Sequence, residues 1–266
     1  MLFYICSFFR MKIDIILVGV GGTGGCLFTK LVRFLSDTDF KGIDLTFRIM
    51  DGDFVEAKNL GRQPFTDEDI GRNKAVALAS AADEVLGVKV VAYPEYLKPE
   101  NRYLLNHDIR SSSTEDIKIV IGAVDNHVCR KLLHEYFLEF TGYETLFYID
   151  AANELSCGEI VIGKSRMKKV IAPDRAHYFP EILLDNGKAP YEMSCEELNQ
   201  SIPQHLATNS LAADLMFSYI VQILTAGSFA NKAPAGIIYF DAFQLFSRFD
   251  EYEEKRHGKI KQDKEK

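Results

Sequence analysis

Cysteine is sparse in this chain, and the five present, Cys6, Cys26, Cys129, Cys157 and Cys195, are scattered, with no CxxC pair and no His/Cys cluster at metal-ligand spacing. That pattern excludes a disulfide framework, makes a zinc site unexpected, and fits a reducing, cytoplasmic setting. Long apolar runs are also missing: none approaches the ~18 residues that a membrane span requires, so no membrane partner is expected. The N-terminal MLFYICSFFRMK has an apolar patch, but no basic residue precedes it and no small-residue cleavage site follows. It does not read as a signal peptide. Met1 and Met11 both stand as candidate starts. Basic charge is in deficit, with 31 Lys and Arg against 38 Asp and Glu and a net charge of -7. A nucleic-acid partner bound through broad phosphate neutralisation is excluded, and any phosphate binding must be local.

What is present is concentrated between Ile13 and Lys74. An apolar run, DIILVGV, breaks into the glycine turn Gly19-Val20-Gly21-Gly22-Thr23-Gly24. A strand that ends in glycines and opens a helix presents unpaired N–H groups at the positive end of a helix dipole, which is a phosphate site. The first helix is expected from about Gly22 to Leu35, with Leu27, Leu31, Phe34 and Leu35 facing a sheet. Leu45 to Met50 reads as a second strand running into Asp51-Gly52-Asp53. After a loop around Pro64 and TDEDIG, the alanine-rich stretch from Asn73 to Leu86 reads as a helix closed by Gly87, and a third strand is expected near Val88 to Ala92.

Beyond a weakly patterned segment around Pro99 to Asn106, the run Ile117 to Ile121 ending at Gly122 is a buried parallel strand that delivers Asp125 just past its C-terminal end. Cys129, Leu132, Leu133, Tyr136, Phe137 and Phe140 give an amphipathic helix, and Thr145 to Asp150 another strand. The alternation implies an α/β fold: a doubly wound, Rossmann-like, mainly parallel sheet with helices on both faces. Later segments, Glu159 to Gly163, Ala235 to Asp241 and Gln244 to Phe249, have no helices between neighbours and imply an antiparallel C-terminal extension. A helix from about Gln204 to Leu224 is apolar on nearly every face, interrupted by Asn209 and Asp214, so it belongs in the core or at a subunit interface. One domain over residues 12–249 is expected, with 1–11 a short extension and 250–266 a charged, disordered tail.

Gly19, Gly21 and Gly24 satisfy GxGxxG, and Asp51 at the second strand end suits the ribose of NAD as well as that of ATP. The cations discriminate. A dinucleotide's two phosphates need one helix end, whereas a triphosphate with magnesium needs extra cations and a metal-binding acid. Arg62 and Lys74 supply the first and Asp125 the second. Taken singly, Arg62 is a surface ion pair, Lys74 a helix-face charge and Asp125 a helix cap. Their coincidence favours the triphosphate.

GVGGTGG, then DGDFVEAKNLGRQPFTDEDIGRNKA, then AVDNHVCR resemble the ThiF family of adenylating enzymes, bacterial relatives of ubiquitin-activating enzymes. HYFPEILLD and SCEELNQSIPQHLATNSLAADLM resemble the branch found in PRTRC cassettes. The resemblance implies that Gly21 and Gly22 line the nucleotide and Asp51 bonds its ribose, with Asp53 beside it in the cofactor set. It further implies that Asn59, Arg62, Gln63 and Lys74 hold the phosphates, Asp125 binds magnesium, and Arg130 braces the Asp125 turn. The implied reaction is ATP-dependent adenylation of the C-terminal glycine carboxylate of a ubiquitin-like or sulfur-carrier-like protein, by a homodimer. A ubiquitin-conjugating-like protein is a further implied partner.

Cys195 matches a loop cysteine that accepts the acyl group as a thioester in several relatives. Glu196 and Glu197 beside it oppose thiolate formation. Cys26 and Cys129 read as core, Cys157 as a packed side chain, and His127, His134, His177 and His205 as surface or capping residues without assignable partners. Relatives also carry a helix ahead of the first strand that lends an arginine to the neighbouring subunit. Here about a dozen residues precede that strand, Arg10 among them. Two other readings stand beside adenylation: a catalytically degenerate nucleotide-binding scaffold, and an NAD(P)-dependent oxidoreductase motivated by the glycine turn alone.

Overall fold

The computed structural model describes residues 10–106, 113–192 and 205–254. β1 (Met11–Val18), β2 (Ile43–Met50), β3 (Val91–Tyr93), β4 (Ile117–Gly122) and β5 (Thr145–Asn153) pair in the order 3-2-1-4-5, every pair parallel. The central strands are apolar on both faces because helices cover both. On β1, Ile13, Ile15 and Leu17 join one core cluster, together with the apolar sides of α1 (Gly22–Asp37) and α2 (Lys74–Leu86). Ile16 and Val18 point the other way, into a second cluster with Leu132, Leu133 and Phe137 of α3 (His127–Glu139). Strand order reverses between β1 and β4, so the loops leaving their C-terminal ends diverge and open a crevice. The glycine turn and Asp125 both lie on those loops.

The antiparallel extension is present. β6 (Cys157–Arg166) pairs with β5, and β8 (Gly236–Asp241) and β9 (Phe246–Glu251) continue the sheet outward, for nine strands among the described residues. β7 (Lys169–Ala172), which the sequence pattern did not reveal, folds back on β6 through Met167 and Lys168, both at positive φ. β9 also takes in Asp250 and Glu251, so the ladder reaches into the segment expected as tail; residues 255–266 lie outside the described part. β3 begins later than expected, because Gly87 caps α2 in the left-handed conformation and the chain needs the following residues to reach β2.

A short helix, α4 (Arg175–Tyr178), follows β7, and α5 (Leu206–Thr225) lies against α1 and strands β5, β6 and β8. Ala212, Ala213, Met216, Ile220 and Ile223 of α5 are fully buried within the chain, which settles the core alternative for that face. On the sheet face that carries Ile16, Met50 and Val120, a buried charge cluster was not legible in the sequence. Arg48 donates through Nε and Nη2 to both carboxylate oxygens of Asp14 (2.8 and 2.6 Å), and Lys118 Nζ lies 3.0 Å from the same carboxylate.

Candidate functional site

The crevice holds a cavity of about 650 Å³. On one wall, Gly19 at φ +87° turns the chain out of β1, and a side chain there would meet Ala123 O at 2.6 Å. Gly24 packs behind it: its missing Cβ would lie 2.0 Å from Gly19 O, so Gly24 shapes the turn and does not line the cavity. Gly21, Gly22 and Thr23 do line it. The first turn of α1 has neither a side-chain cap nor an acidic residue, which leaves its N–H groups open to an anion.

Asp51 ties β2 to this turn. The N–H of Val20 donates to Oδ2 (2.7 Å) and that of Asp53 to Oδ1 (2.8 Å). Burial, reinforced by the charge of Asp53, pushes its carboxyl up from the usual range to about 6, against the opposing pull of Lys74. A solvated turn acid would show none of this. Asn73 caps α2, accepting from Val76 N–H, while its Nδ2 donates to the carbonyls of Asp51 and Asp53 (2.8 and 3.0 Å). That fastening sets Lys74 at the first helical position, with its Nζ 3.0 Å from Asp53 Oδ2 and 8% of its side chain exposed. Lys74 is therefore a wall residue, not a helix-face charge.

Asn59 is buried in a 3₁₀ turn, its Oδ1 accepting from Glu56 N–H (2.8 Å). Arg62 and Gln63 follow on the same loop and face the cavity. Among the described residues Arg62 has no ion-pair partner, and the buried Oε1 of Gln63 accepts no hydrogen bond. On the opposite wall Asn126, not Asp125, caps α3 by accepting from Cys129 N–H (2.8 Å). Asp125 is left exposed at the cavity with no partner among the described residues. Arg130 donates to Val124 O (2.6 Å) and Ala151 O (3.2 Å) and pairs with Asp150 (3.2 Å), holding the loop on which Asp125 stands.

Thus Gly19, Gly21, Gly22, Asp51, Asp53, Asn59, Arg62, Gln63, Lys74, Asp125 and Arg130 share one cavity. Cys195 lies outside the described residues, as does Cys6. Cys129 is core; Cys26 is half-buried, with Ser210 as its hydrogen-bond partner, and Cys157 starts β6 half-buried. His205 caps α5. His134 has the partner that sequence could not assign: its Nδ1 lies 2.7 Å from Asp174 Oδ2.

Several site residues were not anticipated. Thr23 Oγ1 and Asn153 Nδ2 both donate to Asn209 Oδ1 (3.1 and 2.8 Å), and Asn209 Nδ2 fills the space a Gly22 side chain would need. The polar break in an apolar helix was the signal for Asn209. Tyr96, just past β3, donates its phenol hydrogen to Asp53 Oδ1. Only the strand-end rule, applied to β3, would have found it.

A family model described as the ThiF family matches residues 11–233. The chain belongs to the ThiF family. No individual curated protein matches this ThiF-family chain in sequence. Among solved structures it is similar to selenomethionine PaaA, with a TM-score of 0.59 and 17% identity over 92% of this chain and 65% of that one. It is also similar to E. coli MccB solved with AMPCPP and MccA, with a TM-score of 0.53 and 15% identity over 90% and 63%. The same enzyme solved with ATP gives 0.54 and 15% over 90% and 63%. At these identities the likeness is one of fold, and this chain spans just under two thirds of either protein. Among the described residues no three His, Cys, Asp or Glu side chains form a metal cluster, and no helix is long and apolar enough to cross a membrane.

Proposed function

We propose that this ThiF-family protein adenylates the C-terminal carboxylate of a ubiquitin-like or sulfur-carrier-like protein, consuming ATP and releasing pyrophosphate. One observation carries the reading. Open α1 amides, a buried Lys74, and an Arg62 and an Asp125 that are unpaired among the described residues converge on one cavity. Two phosphates would not require that set. That MccB has been solved with ATP, and with AMPCPP and MccA, supports it by analogy of fold.

In this reading the purine nucleoside lies along Asp51, whose carboxylate accepts from the ribose, and the phosphates reach the α1 amides, Asn59, Arg62, Gln63 and Lys74. A carboxylate with no ion-pair or hydrogen-bond partner among the described residues suits magnesium, which keeps several waters and takes one or two carboxylates plus substrate phosphates. Asp125 would hold it, and the ion would neutralise charge on the triphosphate. The partner's carboxylate oxygen attacks the α-phosphorus, the bond to the β-bridging oxygen breaks, and pyrophosphate leaves. A carboxylate is already a nucleophile at neutral pH, so no general base is needed; positioning and charge neutralisation carry the rate. Cys195 is the proposed acceptor in a second step, its thiolate displacing AMP from the acyl-adenylate. The homodimer is part of the same reading.

ATP:pyrophosphate exchange tests it. Asp125→Ala should abolish exchange while AMP binding persists, because the lost group acts only on the polyphosphate. Cys195→Ala should leave exchange intact, since the thioester follows adenylation. Exchange in Asp125→Ala at the wild-type rate would contradict the magnesium role. ATP binding without exchange under any condition would favour a nucleotide-binding scaffold.

A further inference from the structure

Among the described residues Lys74 is the only lysine the crevice buries so deeply, yet its ammonium is already neutralised by Asp53, an acid whose side chain is 42% exposed at the cavity. A carboxylate free to turn from Lys74 into the crevice would oppose any triphosphate there. Asp53 is not free to turn. Its two oxygens have separate fixed donors, Lys74 Nζ on Oδ2 and the Tyr96 phenol on Oδ1.

Tyr96 is itself fastened on three sides. Its carbonyl accepts from Asn101 Nδ2 (2.9 Å). Its ring lies on the bare Cα of Gly52, where even a methyl group would come within 2.4 Å of the ring. Its outer edge meets Tyr191, with ring centroids 6.1 Å apart. Burial and the neighbouring carboxylates of Asp53, Asp51 and Asp125 raise its pKa, so the phenol keeps its proton as a donor at any working pH.

Resting on the ATP-binding reading above, we propose that Tyr96 is a positioning residue. It pins the Asp53 carboxylate toward Lys74 and away from the polyphosphate, so that Lys74 is aimed and Asp53 does not repel. Tyr96 touches Asp53 and acts on the β- and γ-phosphates only through it. AMP, which lacks those phosphates, is indifferent to it.

The test is calorimetric titration of magnesium-ATP and of AMP into wild-type protein, Tyr96→Phe, Asp53→Asn and the double variant. Phenylalanine keeps the ring on Gly52. Loss of one charge-assisted hydrogen bond should weaken ATP about tenfold. AMP affinity should stay within about twofold, and the Tyr96→Phe effect should disappear in the Asp53→Asn background, as a double-mutant cycle reports for residues that act through one another. Equal loss of ATP and AMP, or the same loss in the Asp53→Asn background, would show Tyr96 to be cavity wall and overturn the proposal. Should Tyr96→Phe fold poorly, Gly52→Ala, which displaces the ring, must reproduce its selective loss of ATP; loss of AMP as well would overturn the proposal too. Wild-type protein that binds neither nucleotide contradicts the adenylation reading and this inference together. Wild-type binding of ATP that Tyr96→Phe leaves unchanged overturns the role of Tyr96 alone.

Discussion

Asp51 combines two properties that usually exclude each other: it is buried, and it accepts two backbone N–H bonds as a carboxylate should. Burial and Asp53 win, and the carboxyl titrates near 6. A ligand whose hydroxyls donate to the ionised form binds best when that form is already present. Adenosine, which brings a ribose and no phosphate, should therefore bind more tightly above pH ~6 and progressively more weakly as the pH falls through it, by the linkage between ligand and proton. Titrations of adenosine between about pH 5 and pH 8 check this; an affinity flat across that window would remove Asp51 from the ribose. Asp51, Arg62 and Asp125 were legible in the sequence because each sits at a strand end or in the NLGRQ and DNxxxR motifs, and Lys74 because it lies in the GRNKA end of the segment that resembles the family. Asn73 and Tyr96 were not, since their partners are reached only after β2 and β3 have paired and folded their loops together.

Elements that alternate simply were readable in the same way. β1, β4 and β5 are near-continuous apolar runs, and the α2 boundaries follow from Asn73 and Gly87 acting as caps at its ends. β7 was missed because its residues Lys169, Val170 and Ile171 are exposed and leave no pattern of burial to detect. The segment after it hangs from α3. His134 on α3 meets Asp174, which precedes α4, and Lys131 donates to Asp185 O further along. The hydrogen bond to Asp174 raises the His134 pKa against the opposing cost of burial. A raised folded-state value means stabilisation that is fully present below the unfolded value of about 6.5 and lost as pH rises through the folded one. His134→Gln should accordingly melt below wild type at about pH 6, with the gap narrowing toward pH 8. A gap independent of pH would mean that the contact is neutral packing.

At the scale of the whole molecule, the parallel half of the sheet places two loops at its switch point, and the antiparallel half carries β5 onward to contribute Asn153. α5, late in the chain, sets Asn209 against Gly22, so the cavity wall closes over a long sequence separation. That closure is why the reach of the site beyond its motifs was hidden: Thr23, Asn153 and Asn209 meet only in the folded protein. In the proposed reading the arrangement is an anion site inside an acidic molecule, in which magnesium would offset the triphosphate charge and the partner's carboxylate would be the most demanding guest. The direct measurement is exchange of labelled pyrophosphate into ATP, with magnesium, in the presence of a ubiquitin-like protein that ends in glycine. The account predicts exchange that requires that protein's free C-terminal glycine carboxylate and vanishes in Asp125→Ala. Tight ATP binding with no exchange, or exchange indifferent to the carboxylate, would contradict it.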